Sequence, residues 1–176
     1  MNDNARRWAR VTRYAEGTDK YKNPYTTGFG GEQFDPTKGH PNKVFKGTSA
    51  AAGAYQYMPD TWYETMEAIG LPRNSPMTKA NQDKGFIHMA ATRGVDVTKD
   101  PMTRENVAKL STLFASFPTM SGKSYYGQPV KGYTAMEAVF YDSHDDWAAQ
   151  AQSYLERRYP GTKVEKFVTP TIRQTK

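Results

Sequence analysis

The sequence predicts an α+β fold: a helical body with a small antiparallel β-lobe inserted between its first and second helices. Two observations carry this. Apolar residues recur at helical spacing in several separate segments, and the stretch 21–45 abandons that period for Gly, Thr, Pro, Asn and aromatic residues. No repeat of fixed period competes with this reading, and the longest low-complexity run is Ala50-Ala51-Ala52.

The first helix starts at Asn2 or Asp3, either of which can cap it. It places Ala5, Trp8, Val11 or Thr12, and Ala15 on one face, and ends at Glu16-Gly17, Gly being the usual residue just past a helix. In the segment that follows, Gly30-Gly31 separates two β-prone pieces, 25–29 and 32–34, which together predict a hairpin. The helical period returns at Pro59 with the stripe Met58, Trp62, Met66 and Ile69, and Gly70-Leu71-Pro72 stops it. A helix is predicted over 78–93, closed by Gly94. Another is predicted over 103–117, with Val107, Leu110, Phe114 and Phe117 inward and Pro118 beyond. After a loop rich in Gly, Ser and Tyr, Thr134 and Glu137 have the spacing of a capping box. The helix they open is expected to continue toward Arg158, with a break near residues 143–145.

At 176 residues the chain has the size of one domain, and 37 % hydrophobic with 13 % aromatic residues supply a core. There are no cysteines, which excludes disulfide, thiol and Cys-zinc chemistry. His40, His88 and His144 have no metal-ligand spacing, and no cofactor motif is present, so neither metal nor cofactor is expected. The most weakly polar stretch, around residues 50–55, is far shorter than the ~18 apolar residues of a membrane span. The charged N-terminus has no apolar core of a secretory signal, which predicts synthesis in the cytoplasm. The net charge is +6, and +5 of it lies in residues 157–176. The expected organisation is therefore a near-neutral domain, 1–156, and a basic extension, 157–176. Nucleic-acid binding by the body is not expected, whereas the extension suits an anionic envelope polymer.

Carboxylate chemistry is the best supported. Glu16 falls at the C-terminal end of a helix, where the helix dipole disfavours a further negative charge, and at the junction of two lobes, where a cleft would lie. A carboxyl group held protonated near neutral pH is what general-acid cleavage of a glycosidic bond requires. The segment 48–62 adds small residues (Ser49, Gly53) that allow close backbone approach, a ring face at Tyr55 and an amide at Gln56. Tyr126 and Gln128 repeat the Tyr-plus-Gln chemistry in the later loop. Such sparsely charged surfaces suit a neutral sugar chain.

The order Glu16-Gly17-Thr18-Asp19, Gly30-Gly31-Glu32-x-Phe34, His40-Pro41, Ala52-Gly53-x-Tyr55-Gln56, Trp62, Gln82-Asp83, Arg93-Gly94, Ala115-Ser116-x-Pro118 and Tyr126-Gly127-Gln128 resembles the lambda-type phage endolysins over residues 5–140. The run from Gly53 to Trp62 is also similar to the Gly-x-x-Gln-x-Met-Pro motif of bacterial lytic transglycosylases. The resemblance implies a lysozyme-like fold. It further implies cleavage of the β-1,4 bond between N-acetylmuramic acid and N-acetylglucosamine, closing a 1,6-anhydro ring on the muramic sugar. Glu16 would act as acid and then base, and Tyr25, Thr26, Glu32, Ser49, Gly53, Tyr55, Gln56, Tyr126 and Gln128 would line the substrate site. Thr26 stands where relatives carry an Asp after the lobe tyrosine. A monomer acting on peptidoglycan strands is expected, reaching the wall through a holin-type lesion or from a virion. A water-using muramidase with Glu32, Asp19 or Asp35 as second carboxylate, and a catalytically silent wall-binding module, are the alternatives.

If the basic extension steers the protein, truncation after Tyr159 will leave cleavage of short uncharged glycan fragments unchanged. It will lower activity on whole walls, and added salt will narrow the difference because exposed charges are screened beyond ~8 Å at ~0.15 M. Equal loss on both substrates at every salt concentration would instead make the extension a structural part of the domain.

Overall fold

The computed structural model describes residues 1–141 and 157–161. The predicted break near residues 143–145, His144 and the apolar and basic residues of 162–176 lie outside them. Among the described residues the body is formed by five α-helices: α1 (Asp3–Glu16), α2 (Pro59–Ala68), α3 (Lys79–Thr92), α4 (Arg104–Leu110) and α5 (Tyr133–Tyr141). Among the described residues no helix is long and apolar enough to cross a membrane.

Helix α1 follows its sequence signals. The Asn2 side chain accepts from Ala5 N–H, and Ala5, Trp8, Ala9, Val11, Thr12 and Ala15 are buried. The helix packs against α5, with Trp8 edge-on to Phe140 at 5.6 Å between ring centroids. It also meets the 97–100 loop, whose carbonyls accept from Asn4 Nδ2 and Trp8 Nε1. In α2, Trp62 and Met66 are buried, whereas Met58, the residue that caps it, is 46 % exposed and leaves the stripe. Thr78 caps α3 by accepting from Asn81 N–H.

Three sequence expectations are corrected. The helix over 103–117 ends at Leu110. There the Ser111 hydroxyl donates back to the Ala108 carbonyl at 2.6 Å and competes with helix continuation. Val107, Leu110, Phe114 and Phe117 are nonetheless buried. The capping box fails because α5 already includes Tyr133; Thr134 lies within the helix and Glu137 is buried. Arg158 returns to this helix, with its guanidinium 4.0 Å from Glu137 and over the Tyr133 ring.

The third correction is the β-lobe. No strand ladder forms among the described residues of 21–57. The segment is a series of 3₁₀ turns (Pro24–Thr26, Phe29–Gly31, Pro36–Lys38) and isolated antiparallel bridges: Thr27 to Gln33, Gly28 to Ala52, Phe45 to Ser49 and Ala52 to Tyr57. Pro24 and Pro36 offer no N–H to a ladder. The Asn23 and Asp35 side chains accept from turn N–H groups, which favours turns over strands.

The lobe is tied to α3 by Gln82 and Asp83, both buried. Gln82 Oε1 accepts from Ala54 N–H at 2.9 Å, while Nε2 donates to the Tyr25 and Met77 carbonyls at 2.8 Å each. Asp83 Oδ1 accepts from the Tyr25 and Tyr55 hydroxyls at 2.7 and 2.6 Å, and Oδ2 from Lys79 Nζ at 2.7 Å. Gly53 has φ +82°, and a methyl group there would collide with Gln82 Oε1.

Replacing Gln82 by Ala strands one buried donor and two carbonyls. At about 1–3 kcal/mol for each unsatisfied group, Gln82→Ala is expected to cost roughly 3 kcal/mol or more in urea unfolding. A loss below about 1 kcal/mol would show that Gln82 does not tie the lobe to the body.

Candidate active site

Glu16 is the last residue of α1. Gly17, at φ +73°, ends the helix. Its N–H bonds the Tyr14 carbonyl at 3.1 Å, and Thr18 N–H bonds that of Arg13 at 2.9 Å. The Thr18 hydroxyl then donates to the Ala54 carbonyl at 2.7 Å, fixing the helix end against the 48–58 segment. This places Glu16 on a cleft of about 1120 Å³ between the turn lobe, α2, the C-terminal part of α3 and the 112–128 region.

The Glu16 carboxyl is raised from an ordinary 4.5 to about 7, the net result of burial, which raises it, and of a 2.8 Å hydrogen bond donated by the Ser116 hydroxyl, which offsets part of that rise. The dominant cause is thus desolvation. The group is half-protonated near neutral pH and its proton-bearing form is the one the surroundings favour.

Of the residues singled out in the sequence, Glu16, Ser49, Tyr55, Gln56, Tyr126 and Gln128 line this cleft. They present themselves differently from expectation. Tyr55 is 2 % exposed, its ring stacked on Phe86 at 4.6 Å and its hydroxyl spent on Asp83, so it offers no free ring face. Gln56 adopts φ +55°, and its amide donates to the Gly53 carbonyl at 2.9 Å, bracing the 53–56 turn that carries it. Tyr126 is 54 % exposed, with its hydroxyl anchored on the Thr112 carbonyl at 2.6 Å.

Tyr25, Thr26, Glu32 and Gly53 are outside the cleft lining. Tyr25 reaches back to Asp83, Thr26 donates to Gln33 Oε1, Glu32 pairs with Lys43, and Gly53 packs on Gln82. Asp19 and Asp35 do not line it either; Asp35 caps a 3₁₀ turn instead.

The structure adds residues that sequence reasoning left without a role. Ser116 was visible only as part of a motif, a hundred positions from its partner. Glu64, His88 and Arg93 also face the cleft, from α2 and the end of α3. Among the described residues no group of three His, Cys, Asp or Glu side chains converges to hold a metal ion. His40 is buried, with Nε2 2.7 Å from the Tyr57 carbonyl and Nδ1 accepting from Asn42 N–H. That pair of bonds makes it a neutral structural histidine, and burial lowers its pKa.

The Endolysin family matches residues 8–145. A bacteriophage lambda lysozyme solved in complex with a chitohexasaccharide superposes with a TM-score of 0.68 at 23 % identity, over 80 % of this chain and 93 % of its own. A lysozyme from bacteriophage lambda superposes with a TM-score of 0.61 at 21 % identity, over 93 % and 97 %. No curated protein matches the chain in sequence. The structural likeness establishes a lambda-lysozyme-like fold, and the sequence match, which spans most of the chain, establishes that the protein belongs to the Endolysin family.

Proposed function

We propose that the protein is a peptidoglycan-degrading endolysin that cleaves the β-1,4 bond between N-acetylmuramic acid and N-acetylglucosamine, with Glu16 as its acid and base. The observation that carries this is a largely desolvated carboxyl, raised to about 7, on the wall of a cleft of about 1120 Å³. The saccharide complex of the lambda lysozyme supports a glycan as the occupant. The protein would act as a monomer on the bacterial wall, after release from the host cytoplasm or delivery by a virion.

In the reading we favour, protonated Glu16 donates to the glycosidic oxygen as the C1–O bond breaks, which leaves positive charge on the muramic ring. The resulting carboxylate takes the proton of that sugar's 6-hydroxyl, and O6 closes on C1 to give the 1,6-anhydro product. The proton is back on Glu16 and no water is consumed. One carboxylate suffices. None of Glu32, Asp19 and Asp35 lines the cleft, which favours a route without them. A water-using muramidase would instead need Glu64, the other carboxylate among the described cleft residues. Mass analysis of the released muropeptides decides between the two. Anhydro products, lighter by one water, and full activity in Glu64→Gln are expected; hydrated products would assign the muramidase route.

Glu16→Gln is expected to lose about 10²–10⁴-fold in wall cleavage while keeping its fold. A variant that retained most of its activity would remove Glu16 from the chemistry. In the wild type, activity should fall as pH rises through about 7, because the acid form is consumed. Ser116→Ala removes the bond that lowers the carboxyl pKa, so this limb should move to higher pH.

Stability must follow the same group. The folded-state pKa lies above the unfolded value, so the native state holds the extra proton between about 4.5 and about 7. The wild type therefore loses stability as pH rises through that window, by roughly 3 kcal/mol at pH 8. Glu16→Gln has no such loss. It should melt higher than wild type at pH 8 and no higher at pH 4. Identical differences at both pH values would refute the buried-acid assignment.

A further inference from the structure

Arg93 faces the cleft just beyond the end of α3. Its guanidinium is oriented by two hydroxyls: Nε donates to Thr112 Oγ1 at 2.9 Å and Nη1 to Thr92 Oγ1 at 3.2 Å. Neither partner is an acid. Among the described residues no carboxylate lies within ion-pair distance of Arg93, and Nη2 makes no hydrogen bond. The positive charge is therefore held in place but not neutralised. Thr112 also supplies the carbonyl that anchors the Tyr126 hydroxyl, so Arg93 and Tyr126 belong to one braced end of the cleft. Lys20, the other full cation facing the cleft and exposed like Arg93, lies over the Tyr21 ring without such anchoring by side-chain hydroxyls.

A planar cation fixed on one edge and open on another is built to receive a carboxylate. The sugar rings of a wall glycan are neutral. The anion on such a strand sits on the lactyl arm of N-acetylmuramic acid, as the lactyl carboxylate itself where the stem peptide has been removed, or as a carboxylate of the stem where it is present. Resting on the function proposed above, we infer that Arg93 recognises this carboxylate and sets the preference for muramoyl strands over neutral N-acetylglucosamine polymers.

The test is steady-state cleavage by wild type, Arg93→Gln and Arg93→Lys of peptide-bearing strands and of strands stripped by an amidase. It is run beside calorimetric binding of the same strands and of the neutral N-acetylglucosamine hexamer. Arg93→Gln is expected to raise KM for muramoyl strands about five- to tenfold with kcat little changed, and to leave hexamer binding and melting temperature unaltered. Arg93→Lys should recover part of the loss. A defect confined to peptide-bearing strands assigns the stem carboxylate, and a defect on stripped strands assigns the lactyl one. Equal loss toward the neutral hexamer, unchanged KM on both muramoyl substrates, or a lysine variant as poor as the glutamine variant would overturn the inference. Failure of wild type to cleave any strand would sink the proposed activity instead. The binding comparison would still decide the role of Arg93.

Discussion

The structure depends above all on the pair Gln82-Asp83 at the start of α3. A lobe made of turns has little cohesion of its own, and its position relative to the helices has to be imposed from outside. Gln82 does this with one amide that meets the backbone at Tyr25, Ala54 and Met77, and Asp83 adds the hydroxyls of Tyr25 and Tyr55. Because these atoms are buried, each bond left unmade would carry a desolvation cost, so the arrangement is specified rather than merely allowed. Both the turn at 53–56 and the entry of the lobe at Tyr25 are set by the same two residues.

The acid is held from a different direction. Glu16 is placed by the end of α1, and its surroundings are completed by Ser116 from a segment a hundred residues later. The helix stop at Gly17 and the Thr18 to Ala54 bond join this support to the Gln82 system, since Ala54 bonds to both: its carbonyl accepts from the Thr18 hydroxyl and its N–H donates to Gln82 Oε1. The position of Glu16 and the shape of the lobe are therefore coupled through a single peptide segment.

Sequence reasoning succeeded where a local period or stop signal decides the outcome. The α1 stripe, the Glu16-Gly17 end, the start of α3 at Thr78 and its close near Gly94 are of this kind. It failed where distant partners decide. Tyr55 in sequence is equally a sugar platform or a core residue, and Phe86 settles that by stacking on it. The aromatic run at 21–45 has strand composition, but its prolines and side-chain caps convert it into turns. Glu64 and His88 carry no motif of their own, and Arg93 stands in the Arg93-Gly94 pair, which by itself gives it no role; what looks into the cleft is fixed only by packing. Ser116 stood inside a recognisable motif, yet nothing local relates it to Glu16.

The replacement of a ladder by isolated bridges has a further consequence. A sheet exposes an edge, a row of unpaired amides and carbonyls that can be extended by any passing strand, including one from another copy of the same chain. The lobe here pairs its backbone in short, separately closed pieces, and among the described residues it offers no continuous edge to extend. Association by edge-to-edge strand addition therefore has no template on this lip of the cleft.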